Sequence, residues 1–95
     1  MIERHITLNV NPDMTTEFER FFAEEYRPPA LSMPGLIECF LLREAEHADR
    51  YQMVFRWEEA EQAVAWRVSE VHQALQPALN ELHAGMEIVA YTKVA

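Results

Sequence analysis

Between Trp57 and Gly85 the chain carries its longest stretch of helical periodicity, WEEAEQAVAWRVSEVHQALQPALNELHAG, with strand-like runs on both sides of it. Val64, Val68, Val71, Leu75, Leu79 and Leu82 recur at spacings of three and four and predict one apolar stripe. One straight helix is not expected. Pro77 has no amide proton for the residue four before it, so a kink or a new segment is expected there. Ser69 is a candidate N-cap, which divides the region into pieces near 58–67 and 70–83. Gly85 is expected to end the helix in the left-handed conformation, with His83 in the last turn where the dipole favours a cation. The acidic run Glu58, Glu59 and Glu61 reads as helix-start capping on a solvated face.

The remaining elements follow from period and punctuation. Residues 3–10 alternate, with Ile6, Leu8 and Val10 on one face and His5, Thr7 and Asn9 on the other, which predicts a strand. Pro12 and Asp13 suit the first turn of a helix over 14–27. Met14, Phe18, Phe22 and Tyr26 are four apart and Phe21 widens their face, a large aromatic payload. Pro28-Pro29 is expected to stop that helix, with room for one further turn at 30–33, and Pro34-Gly35 marks a turn. Residues 36–43 are apolar on both faces, Leu36, Phe40 and Leu42 against Ile37, Cys39 and Leu41, which suits a central strand or a sandwiched sheet. A polar hairpin loop at 44–49 leads to a strand at 50–57, and a last strand is expected at 86–94.

The order β-α-β-β-α-β defines an α+β, ferredoxin-like fold: a four-stranded antiparallel sheet with both helices on one face, in a single domain spanning residues 1–95. Ile6, Leu8, Cys39, Leu41, Met53, Phe55, Ile88 and Ala90 are expected to meet the helices. The other face collects His5, Thr7, Glu38, Phe40, Leu42, Val54, Arg56, Val89 and Tyr91 and has no helix left to cover it. A half-apolar open face predicts a homodimer joined sheet to sheet about a two-fold axis. Glu38 and Arg56 are then expected to pair, because an unpaired buried charge is costly.

Charge and composition remove several function classes. A net charge of −8 speaks against nucleic acid and anionic membranes as partners. No run is long and charge-poor enough to span a bilayer. MIERHITLNV has no apolar signal core and Cys39 is the sole cysteine, so a cytoplasmic location is expected. No metal is expected. No His-Glu-x-x-His or paired-cysteine motif occurs, and His72 and His83 would stand about 16 Å apart along a helix. With two glycines in the chain, no phosphate-binding loop or nucleotide cofactor is expected.

His72 is the best single candidate for chemistry, since an imidazole in a pocket between helix and sheet can orient or deprotonate a phenolic substrate. The bland alternative places it beside the apolar stripe, bonded to backbone or solvent. Trp66 can line the same pocket or serve as core. Tyr26, Tyr51 and Arg43 can supply polar groups around a ligand, or be half-buried tyrosines and a surface arginine. Cys39 reads as an inert small hydrophobe.

The segments EEYRPPALSMPGLIECFLLR and EAEQAVAWRVSEVHQAL carry a further signal. A proline-rich link leads to Pro34-Gly35 before the second strand, and an Ala-x-x-x-Trp pattern ending at Trp66 is followed by Ser69-x-x-His72. Together with the order of elements, these resemble the antibiotic biosynthesis monooxygenase-like family of the dimeric α/β-barrel superfamily. The resemblance implies a homodimer made by packing two sheets. Some members are cofactor-free oxygenases of polycyclic aromatic substrates, others degrade haem, and many have no known activity. The haem-degrading members use an asparagine on the first strand, a tryptophan, and a histidine about three helical turns beyond it. Trp66 matches the tryptophan, but Gln76 and His5 stand at the other two positions, so the pattern departs from haem degradation. Two readings follow: a cofactor-independent oxygenase for a small aromatic compound, or a non-catalytic dimer that holds a small ligand or serves a stress-related role.

Overall fold

The computed structural model describes residues 1–95. The chain runs β1 (Ile2–Val10), α1 (Thr15–Phe21), a π-helical turn (Phe22–Tyr26), α2 (Arg27–Leu31), β2 (Leu36–Arg43), β3 (Arg50–Trp57), α3 (Ala60–Val68), α4 (Glu70–Leu82) and β4 (His83–Thr92), with a 3-10 turn at Pro12–Met14 before α1. The strands form one antiparallel sheet in the order β2-β3-β1-β4. This is the ferredoxin-like arrangement expected from the sequence, with each helical region divided in two.

The two faces of the sheet follow the pleat. Leu8 opposes Tyr51, Ile6 opposes Met53 and Arg4 opposes Phe55 on the helix side. Leu8, Tyr51, Met53, Phe55 and Trp57 are nearly inaccessible there, under Phe18, Phe21, Phe22 and Tyr26 from the first helical region and Ala63, Trp66, Leu79 and Leu82 from the second. On the outer face, Arg56 bridges Glu3 at 2.8 Å and Glu38 at 2.6 Å, which includes the pair expected from the sequence. Leu42, Val89 and Tyr91 remain exposed on that face.

Five expectations are corrected. First, Pro28-Pro29 does not stop the helix. Both prolines lie inside α2, where the Arg27 amide still bonds to the Phe22 carbonyl across the π turn. The carbonyls left without proline donors belong to the exposed Ala23–Glu25 segment, where solvent can reach them. Second, no new segment begins at Pro77, which sits on the exposed side of α4. The break falls at Ser69, whose extended backbone (φ −65°, ψ 150°) separates α3 from α4.

Third, that break resets the helical phase. Val64, Val68 and Val71 are exposed, and Ala63 and Trp66 provide the buried side of α3 instead. Fourth, α4 ends at Leu82 with no left-handed residue, and His83 and Gly85 belong to β4. Asn11 takes the place of a glycine cap: its amide nitrogen donates to the Leu82 carbonyl at 2.9 Å and its Nδ2 to Glu81 at 3.2 Å. Fifth, β2 is an edge strand rather than a central one, and a register shift between Leu36 and Glu38 carries Leu36 over to the core side opposite Trp57.

Gly35 is the one residue with a positive φ, at 85°. Its carbonyl accepts from the Glu58 amide at 2.9 Å, and the Gln62 side chain fills the space where a Cβ would stand. The turn before β2 is thereby fastened to the start of α3, where Gln62 Oε1 accepts from the Glu59 amide at 2.9 Å in a capping box.

Candidate functional site

Ser69 shapes the site from the backbone upward. Its Oγ accepts from the His72 amide at 3.1 Å and donates to the Trp66 carbonyl at 2.7 Å, so the two helices join at a fixed corner. That corner turns both Trp66 and His72 toward the sheet, their ring centroids 5.1 Å apart and tilted by 70°. Tyr26 enters from the π turn. Its ring stands 5.8 Å from Trp66 at 87°, 6.1 Å from His72 and 6.2 Å from Phe55. Phe22 stacks behind it at 6.1 Å.

These side chains wall a cavity of about 150 Å³ between the helices and the sheet. Its floor is Ile6, Met53 and Phe55, and its far wall is Leu79 with Met86 and Ile88 of β4. Tyr26, Met53, Phe55, Trp66 and Leu79 are buried, whereas Met86 and Ile88 are 41% and 48% exposed, so the cavity opens along β4.

Three polar residues at the cavity were not singled out as ligand-binding from the sequence: Arg4, Arg67 and Gln76. Arg4 had a readable signal, since the alternation that turns Ile6, Leu8 and Val10 inward also turns Arg4 inward. Gln76 lies one turn beyond His72 on α4, at the position where the haem-degrading relatives were expected to carry histidine. The Gln76 Oε1 and the His72 Nδ1 are both buried without a hydrogen-bond partner. Unsatisfied polar atoms of this kind are rare in folded proteins.

The electrostatics of the cavity follow from partial burial. Desolvation holds the His72 pKa below the ordinary histidine value; the Arg67 carbonyl opposes this, and the Arg4 and Arg67 charges add to it. Burial likewise lowers Arg4, with the Arg67 charge adding and Tyr26 opposing. Burial raises the Tyr26 phenol well above its usual range, with Cys39 adding and Trp66 and Arg4 opposing. At neutral pH the cavity therefore presents a neutral imidazole and a protonated phenol. The Cys39 thiol is pushed up to about 12 by burial, with Arg27 opposing, so it stays a thiol.

Tyr51 and Arg43 do not line this cavity. Tyr51 shares the helix-side face with Phe55 but sits four residues away, about 13 Å along the strand. Its ring packs edge-on against Phe18 at 5.0 Å and its hydroxyl donates to Glu19, which also meets Arg43 at 3.5 Å. Both line a separate, wider hollow of about 470 Å³ at the hairpin end of the sheet, beside Glu19 and Glu44. The five residues anticipated around one ligand thus divide, with Tyr26, Trp66 and His72 at one site and Tyr51 and Arg43 at another.

The fold and the aromatic cavity under its helices define a small ferredoxin-like protein of the dimeric α/β-barrel type. The sequence profile of the antibiotic biosynthesis monooxygenase family matches residues 1–78, and the chain belongs to that family. Solved structures agree on the fold. A conserved protein from Methanosarcina mazei Go1 superposes with a TM-score of 0.88 at 21% identity, covering 98% of this chain and 92% of that one. A protein from Bordetella bronchiseptica, named as a candidate antibiotic biosynthesis monooxygenase, gives 0.87 at 26% identity over 99% and 97% of the two chains. Another named in the same way, from Nitrosomonas europaea, gives 0.88 at 16% identity over the whole of both chains. No curated protein matches the chain in sequence.

Proposed function

We propose that this chain is a cofactor-independent monooxygenase-like protein that takes a small aromatic compound into the cavity beside Trp66 and His72. The observation that carries the reading is the meeting of an apolar, aromatic-walled cavity with a half-buried imidazole held below its ordinary pKa. Such an imidazole is unprotonated at neutral pH and is suited to take a proton from a phenol or an activated ring carbon. The resulting electron-rich anion is the reductant for molecular oxygen. One oxygen atom enters the substrate, and the other leaves as water with two substrate hydrogens, so no external electron donor is needed. Tyr26 keeps its proton and serves as a donor, and Trp66 forms one wall of the cavity.

Oxygen uptake with a panel of mono- and dihydroxylated aromatic compounds tests this. The expected result is turnover of at least one compound, reduced about 10²-fold or more in His72→Ala. Unchanged turnover in that variant sinks the catalytic role of His72. One observation favours a binding-only protein instead: no carboxylate orients His72, whose Nδ1 has no partner. That reading predicts saturable binding of the same compounds with no oxygen consumed.

The proposed assembly is a homodimer through the outer sheet face. Its support is the exposed Leu42, Val89 and Tyr91 on that face, together with the typically dimeric character of the family. No helix is long and apolar enough to cross a membrane.

A further inference from the structure

The chain holds sixteen acidic and eight basic side chains, Asp and Glu against Lys and Arg, yet no carboxylate lines the cavity beside His72. Two arginines do, Arg4 and Arg67. The other basic groups are mostly committed elsewhere. Arg20, Arg43, Arg50 and Arg56 each pair with glutamate, and Arg27 lies over the Phe22 ring at 5.4 Å. Arg4 and Arg67 have no acidic partner within ion-pair distance and no side-chain hydrogen bond. They are close enough that each guanidinium raises the cost of charging its surroundings, Arg4 among them. Bringing two unpaired cations together beside an apolar pocket is unfavourable unless an anion arrives between them.

The size of the cavity limits the rest of the ligand. At about 150 Å³ it matches the volume that an apolar cavity needs to hold one benzene ring. We propose that the cavity takes a single-ring aromatic acid, with the ring between Tyr26, Trp66 and Phe55 and the acid group toward Arg4 and Arg67. Arg67 is exposed and Arg4 half-buried, so the acid group faces the open side of the cavity while the ring occupies the buried part. The buried, unpaired Gln76 Oε1 then accepts from a ring hydroxyl where the acid carries one. This assignment rests on the cavity being the binding site, and it narrows the aromatic compound of the proposed function to an anionic one.

The test is titration of the purified full-length protein with benzoate and with benzamide, its neutral near-isostere, by calorimetry. The Trp66 indole and His72 ring signals are followed by NMR to locate binding. Benzoate is expected to bind at least tenfold tighter than benzamide, to weaken as salt is raised, and to perturb both signals. Arg67→Gln, at an exposed position, is expected to weaken benzoate about tenfold and leave benzamide unchanged, with Arg67→Lys restoring part of the loss. Arg4→Gln is expected to act in the same direction, with Arg4→Lys as its folded control. Equal binding of the two probes overturns the acid assignment and leaves the aromatic cavity standing. Tight benzoate binding that ignores both arginine variants also overturns it. Absence of binding by either probe removes the cavity itself as a ligand site, and this assignment with it.

Discussion

The Trp66 indole and the His72 imidazole meet at a ring separation of 5.1 Å although they lie on different helices, joined only through Ser69. Ser69 is hydrogen-bonded to both of their backbones. Ser69→Ala removes both bonds and is expected to lower stability by about 1 kcal/mol, the usual cost of losing an N-cap. Denaturant unfolding checks the size. The same variant is expected to disturb the Trp66 and His72 NMR signals more than those of Leu8 or Met53, because the corner sets their relative orientation.

His72 has a pH signature with a definite sign. Its folded pKa lies below the ordinary value of 6.5, so the unfolded chain takes up its proton first on acidification. The stabilisation from keeping the ring neutral is complete above 6.5 and is lost as pH falls through the folded pKa. The His72 ring is therefore expected to titrate with a midpoint below 6.5 by NMR. His72→Gln is expected to flatten the acid side of the stability profile, on which His83, lowered chiefly by burial and opposed by Gly85, acts in the same direction. A His72 midpoint above 6.5 contradicts the desolvated site.

Gly35→Ala is expected to destabilise by about 1–3 kcal/mol, since the backbone there is left-handed at φ 85° and a Cβ would meet the Gln62 side chain. Thermal unfolding measures the loss. A Gly35→Ala, Gln62→Ala double variant relieves the collision but not the backbone strain, so only part of the stability is expected to return.

Phe40→Glu tests the outer sheet face. Phe40 lies beneath the Arg56 guanidinium at 5.8 Å, beside the Glu38 ion pair, and is half-buried in the isolated chain. An added charge there is expected to shift sedimentation from dimer to monomer while the far-ultraviolet circular dichroism stays unchanged. A dimer that survives the substitution uses a different face.

Strands β2 and β3 were legible to the residue, because alternation and turn residues act locally on an extended chain. The division of residues between the two sheet faces was legible for the same reason, apart from Leu36, which the register shift moves. The helices were less so. Val64, Val68 and Val71 fit one continuous stripe only if the helix is continuous, and the break at Ser69 places them outside. Pro28-Pro29 reads as a stop because a preceding turn of ordinary helix would leave unpaired donors or clashes; the π turn changes that geometry. The site was half legible. Trp66, His72 and Tyr26 converge, but whether Tyr51 joins them depends on distance along a strand, which residue type does not encode.

The π turn at Phe22–Tyr26 amounts to one surplus residue within an otherwise regular coil. Removing one residue from the exposed Ala23–Glu25 segment would restore an ordinary helix, and the chain would lose no buried side chain. Yet everything after the excision would rotate by about 100° relative to α1, the angle of one residue. Tyr26 would leave the side of Trp66, and Ala30 would leave the core. The cavity wall is thus indexed by chain length as much as by residue identity. Variants that keep every lining residue but change the spacing here are predicted to lose the site.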